Sequence, residues 1–177
     1  FKLAGVLIIF NNLLQSLFDS QIKTLGIVML GILIMFIVLF RSIKLSLIGI
    51  VPNFIAALFV LGFIGLLNIP LDMMTITIAA ITIGIAVDNS IHYIYRFKAE
   101  RENYESETMD ITKNCHQSVG KAIISTSVTI IFGFSILVLS NFIPTIYFGF
   151  FTGLAMLTAL FLVLTLLPNL LNKFYKN

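Results

Sequence analysis

ITIAAITIGIAVDNSIHYIYRF, residues 76–97, decides how this chain is read. The run is long and apolar enough to cross a bilayer as a helix, which takes about 20 mainly apolar residues, yet Asp88 interrupts it. A carboxyl group in hydrocarbon is costly, so an acid at such a depth is by default a candidate proton or ion site. The rest of the chain shares the same solvent. Of 177 residues, 59% are hydrophobic and 11% charged, and the mean hydropathy is +1.06, far from a soluble mixture.

Working outward, no charge occurs from Thr24 to Phe40, from Leu45 to Leu71, or from Ala122 to Asn172. The last run is long enough for two crossings, and SNFIP at Ser140 to Pro144 supplies the turn between them, since Asn favours turns and Pro opens helices. NIP at Asn68 to Pro70, followed by Asp72, divides two more. The expected fold is all-α, a polytopic membrane helix bundle. Its five transmembrane helices fall at about 22–40, 46–68, 72–95, 121–139 and 144–170. Barrel strands would be about 9 to 11 residues long with alternating polarity, a pattern these runs lack. Pro52 removes a backbone donor within the second helix and marks a local bend.

Basic residues orient the bundle. Arg41 and Lys44 lie between helices one and two; Arg96, Lys98, Arg101, Lys113 and Lys121 between three and four; Lys173 and Lys176 after helix five; only Lys2 and Lys23 fall on the other side. Basic short loops favour the cytoplasm, so the amino end is expected to be extracytoplasmic and the carboxyl end cytoplasmic, in a cell inner membrane or plasma membrane. The net charge of +3 reflects this topology. No basic stripe suited to nucleic acid is visible.

Residues 1–21 lack a basic cluster and a small-residue cleavage pattern, so a cleavable signal is not expected. They read as the end of an extracytoplasmic region or a lead-in helix, with Leu13, Leu14, Leu17 and Phe18 on one face. The missing initial Met reads as a fragment. The linker at 96–120 should form a cytoplasmic interfacial helix, amphipathic or broken, with Phe97, Tyr104, Met109 and Ile111 touching membrane or bundle. Lys98 with Glu102 and Arg101 with Glu105 are helix-surface pairs. Cys115 has no partner for a disulfide and reads as an inert interfacial cysteine.

Thr77, Ala80, Gly84, Asp88 and His92 recur every three or four residues, so one strip of the third helix carries acid, histidine and small side chains. That strip is expected to face the bundle interior, where Gly84 and Gly133 allow close packing. Asp88 lies roughly 24 Å from the external start of its helix, with His92 one turn nearer the cytoplasm. Ser125, Thr126 and Thr129 offer hydroxyls from the fourth helix. Hydroxyl donors stabilise the charged acid while burial opposes it, and a proton carrier needs that opposition. The bland alternative is a structural acid joining two helices, but intramembrane hydrogen bonds average only about 0.6 kcal/mol, little reason to keep so expensive a group. His92 fits either a proton path or interfacial packing, and Asn89 and Ser90 fit local hydrogen bonding as well as direct participation.

Other chemistries lack parts. Asp88 and His92 do not complete a zinc site, which takes about four ligands, so no metal or other cofactor is expected. Aspartyl proteolysis needs a second buried carboxylate, and serine proteolysis needs a supported Ser and His pair; neither is evident.

GIAVDNSIHYIYRFKAERE at Gly84 to Glu102, then VGKAIISTSVTIIFGFSILVLSNFIPTIYFGFFTGLAMLTALFLVLTLLPNLL at Val119 to Leu171, resembles exporters of the RND superfamily, of the MMPL and sterol-sensing-domain-like type. The resemblance covers nearly the whole chain. It implies two related halves, each with one helix, a large extracytoplasmic domain and five more helices; this chain resembles the last five helices of one half, the carboxyl-terminal one. It further implies a secondary active transporter rather than an enzyme, with export or relocation of a hydrophobic or amphiphilic substrate (lipid, sterol-like compound or drug) driven by the proton gradient. The relay acid then falls at Asp88, and Asn89 stands where many relatives carry a second acid. Asn89, His92, Thr126, Thr129 and Lys121 complete the expected proton path. Expected partners are membrane lipids, protons, the substrate and the missing transporter half, in the same or another chain or as an oligomer. The rival reading is a lipid-responsive regulator or scaffold that transports nothing.

Overall fold

A computed structural model of the chain describes residues 2–69, 73–103 and 108–175. The described elements are all helical: α1 (Lys2–Phe40), α2 (Ile43–Leu66), α3 (Met73–Asn103), α4 (Thr108–Cys115), α5 (Lys121–Ile136) and α6 (Ile143–Phe174). One π-helical turn, His116–Gly120, joins α4 to α5, and a 3₁₀ turn, Leu137–Leu139, ends that rod. Five helical segments are each long and apolar enough to cross a membrane. This is an all-α bundle of the kind the uncharged runs demand.

The lead-in and first crossing form one unbroken helix, as residues 11–23 contain neither Gly nor Pro to stop it. Leu13 is exposed; the side chains of Leu14, Leu17 and Phe18 lie outside the described residues. Arg41, in the left-handed region at φ 50°, reverses the chain, and Ser42 caps α2, its backbone carbonyl accepting from Ser46 Oγ at 2.8 Å. Asn68, at φ 52°, ends the α2 turn, a conformation Asn tolerates better than most residues. Between α5 and α6, Ser140 Oγ accepts from the Phe142 N–H at 3.2 Å.

The central helix is α6, which packs against α2, α3 and α5, while α1 lies mainly on α2. Its buried residues Phe151, Ala155, Ala159, Val163, Leu167 and Leu171 recur every four positions and so form one continuous stripe that winds slowly round the helix. Packing is layered along that stripe. Val60, Ile64, Ile78 and Phe151 fill one end; Phe36, Leu45, Tyr93, Phe97, Leu167 and Leu171 fill the other. Between them Ala56, Ala86 and Ala159 meet from three helices, and such small side chains let backbones approach closely.

The described parts of the expected interfacial linker extend the crossings. Its first part continues α3, with Phe97 buried, and its second part, α4, buries Ile111 and Cys115 in the same cluster. Cys115 is therefore a core residue and not an interfacial one: it occupies the α4 face turned toward the bundle. Lys98 pairs with Glu102 at 3.8 Å, and Arg96 pairs with the buried Glu100. Pro70, Asp72, Tyr104, Glu105 and Lys176, with the side chain of Met109, lie outside the described residues.

His116 pins this end of the bundle. Its Nε2 is 2.9 Å from the Leu164 carbonyl of α6, and its Nδ1 is 2.8 Å from the Thr112 carbonyl and 3.2 Å from the Tyr93 hydroxyl. Proline explains the first contact. Pro168 has no N–H, so the carbonyl four residues earlier, that of Leu164, loses its helical donor; a protonated Nε2 supplies another. With Nε2 protonated, Nδ1 can accept from the Tyr93 hydroxyl; if Nδ1 is protonated as well, it can donate to the Thr112 carbonyl. His116→Ala should destabilise the bundle by about 1–3 kcal/mol, the cost of orphaning a polar group in a site largely shut off from water. In a Pro168→Ala background, where residue 168 regains its donor, the loss should shrink. Equal losses in both backgrounds, measured by thermal unfolding in micelles, would break the link between the two residues.

Candidate functional site

Three successive residues of α3 point three ways, because successive helical side chains are turned by about 100°. Ser90 is buried against α2: its Oγ donates to Asn53 Oδ1 at 3.3 Å, and Asn53 Nδ2 lies 3.2 Å from the same oxygen and donates to the Gly49 carbonyl at 3.0 Å. Asn89 is buried against α5, where its Nδ2 donates to Ser127 Oγ at 3.3 Å. Asp88 points away from both. Its side chain is 69% exposed, and His92, one turn on, is 65% exposed with Nε2 3.5 Å from Asp88 Oδ1.

That placement corrects the expected facing of the strip. Thr77, Gly84, Asp88 and His92 lie on the outward side of this bundle, while Thr82, Ala86, Asn89, Ser90 and Tyr93 take the inward side. Shielding a carboxylate from lipid was the reason to turn the strip inward. Within this chain, the polar pairs of Asn89 and Ser90 and the alanine layer claim that side instead. Asp88 faces an open groove of about 250 Å³ between α3 and α5, lined also by Asn89, His92, Val119, Ile123 and Thr126.

The hydroxyls of α5 are turned to their own helix. Thr126 Oγ1 donates to the Ala122 and Ile123 carbonyls, each at 3.1 Å, and Thr129 Oγ1 to the Ser125 carbonyl at 2.9 Å. Such back-bonding satisfies a hydroxyl that has no better partner. Thr126 thus shares the groove with Asp88 without bonding to it, and Thr129 is not among the groove's lining residues. Lys121 is exposed at the start of α5.

Close packing is also found elsewhere than expected. Gly84 and Gly133 have open space where a Cβ would stand, since both face outward. The tight approaches are at Gly149, where a Cβ would lie 2.6 Å from the Phe134 carbonyl, and at Gly49, where it would meet Ile94 and Phe36 at 2.7 Å. Sequence reasoning also missed Asn53 and Ser127 as partners of the Asp88 segment. Asn53 did carry a signal, being an amide deep in the uncharged run from Leu45 to Leu71. Among the described residues no cluster of His, Cys, Asp and Glu is suited to a metal ion.

Two comparisons bear on this arrangement. A membrane protein of Methanocaldococcus jannaschii is 35% identical over 156 residues, covering 86% of this chain and 39% of its own length. The chain thus spans about two fifths of that relative. The MMPL family pattern matches residues 2–174, through every crossing helix and the Asp88 segment. With five membrane-length helices and a family match over nearly its whole extent, the chain is a multi-pass membrane protein of the MMPL family, within the RND superfamily.

Proposed function

We propose that this chain is the transmembrane part of one half, the carboxyl-terminal one, of a transporter that exports or relocates a hydrophobic or amphiphilic molecule, driven by the proton gradient. One observation carries the reading. An ionisable pair, Asp88 and His92, stands on the outward face of an otherwise apolar bundle, beside a groove. A carboxylate left against lipid is costly, and intramembrane acids normally face protein or a water-filled cavity. The face therefore belongs against a further protein surface, supplied by the missing half in the same or another chain, with the groove as a wet pocket between them.

In this reading Asp88 takes up and releases the proton, and His92 hands it along one turn of α3. Thr126 is the α5 donor that can rotate from its own backbone to the ionised acid, with Thr129 joining only once α5 has turned. Asn89, whose amide is held by Ser127, positions Asp88 rather than carrying a proton itself. Gly84 and Gly133 provide the close approach for the completing surface. The end bearing Arg41, Lys44, Lys121 and Lys173 is cytoplasmic, with Lys121 near the proton's entrance or exit, and the membrane is a cell inner or plasma membrane.

Proteoliposomes of the complete protein, loaded with a fluorescent amphiphile and an internal pH dye, test this. Imposing a proton gradient should drive amphiphile movement and matching proton flux, and a protonophore should stop both. Amphiphile binding without flux under every gradient would instead identify a lipid-responsive regulator or scaffold.

A further inference from the structure

A second cleft lies away from the Asp88 groove. It occupies about 360 Å³ between the start of α2 and the end of α6, lined by Lys44, Leu47, Ile48, Val51, Leu170 and Phe174. That volume is within the roughly 300–1,000 Å³ of small-molecule sites. Five of its six walls are apolar side chains, and its one ionised wall is Lys44 at the rim. From Lys44 to Val51 is seven residues, so the cleft follows about 10 Å of α2, a depth suited to the upper part of an acyl chain.

Among the described residues the charge at the rim is uncompensated. Among the described residues Lys44 has no carboxylate partner, since the ion pairs found join Asp88, Glu100 and Glu102 to residues of α3 itself. The first turn of α2 contains no acid. Lys173 adds a second cation, its Nζ 5.5 Å from the ring centroid of Phe174, which itself lines the cleft. An apolar slot with an unpaired cationic lip at the end of a membrane helix complements one kind of molecule, a lipid whose headgroup is anionic.

We propose that this cleft binds an anionic phospholipid, one acyl chain lying along Leu47, Val51 and Leu170 and the phosphate held by Lys44 with Lys173 beside it. The site is independent of the proton site: its residues belong to α2 and α6 and share none with the Asp88 groove. Its occupation does not require the transport reading to hold.

The test uses the complete protein in nanodiscs doped with phosphatidylglycerol or phosphatidylcholine carrying the same photoactivatable acyl chain. Crosslinks are mapped to peptides containing residues 47–51 or 170–174. Phosphatidylglycerol should label these peptides about fivefold more than phosphatidylcholine, the preference expected from one lysine near an anionic surface. Lys44→Gln combined with Lys173→Gln should bring the two lipids level, Lys44→Arg should keep the preference, and Val51→Trp, which fills the slot, should remove labelling by both. Lys44 is exposed, so its variants should fold, and unchanged size-exclusion profiles would verify it. Equal labelling by the two lipids in the wild type, a preference that survives the double Lys44→Gln and Lys173→Gln substitution, or full competition by glycerol 3-phosphate, which has no chain, would each overturn the proposal.

Discussion

Asp88→Asn in the complete protein should reduce proton-coupled substrate movement to background, a loss of more than about tenfold, while leaving the protein folded. The substitution preserves shape but removes the only acid among the described residues lining the groove between α3 and α5. An amide cannot take up and release a proton as a carboxyl group does, and the 3.5 Å contact with His92 loses its carboxylate. Because the Asp88 side chain is exposed within this chain, the Asn53, Ser90, Asn89 and Ser127 contacts that hold α3 stay intact. Thermal unfolding of the variant should match wild type within about 0.5 kcal/mol, because in the proposed complete protein Asp88 lines a wet pocket and takes no part in packing. Wild-type proton-coupled rates in Asp88→Asn vesicles would end the assignment.

The second large effect concerns folding. Gly149→Ala should destabilise the bundle by at least about 1–3 kcal/mol, the usual cost of overpacking, and Gly149→Val by more. The added Cβ meets the Phe134 carbonyl at 2.6 Å and Leu137 Cβ at 2.7 Å. Neither is the free end of a flexible side chain, so α5 and α6 must separate. Gly153→Ala is the control, because its nearest obstacle is Ser135 Oγ at 4.0 Å. Denaturant melts in micelles should separate the two variants clearly; if they coincide, the close approach at Gly149 does not matter to stability.

The apolar runs made the crossing helices legible because the bilayer imposes a minimum length on any helix that spans it. Asp88 stood out for a similar reason, as an ionisable group where solvent is missing. Facing was another matter. When most positions of α3 ahead of Asp88 are apolar, spacing groups Gly84, Asp88 and His92 on one strip but does not say which strip the other helices cover. The Asn53–Ser90 and Asn89–Ser127 contacts join residues 37 and 38 apart, so they depend on helix rotations that no local pattern encodes. Glycine misled in the same way: Gly84 and Gly149 look alike in the sequence, and only the neighbouring helix distinguishes open space from a wall. The bond between His116 and the Leu164 carbonyl had half its cause on display, since Pro168 announces an orphan acceptor four residues before it.

The triple of Asp88, Asn89 and Ser90 gives α3 a single angular setting. Spinning the helix by one position would drive the carboxylate toward α5, turn an amide toward α2 and release both polar tethers at once. In the mechanism proposed above, a protonation change at Asp88 therefore has little freedom to act by twisting its own helix. The motion that mechanism calls for is a tilt or slide in which α2, α3 and α5 travel together as a block, registered at the surface this block presents to whatever lies opposite.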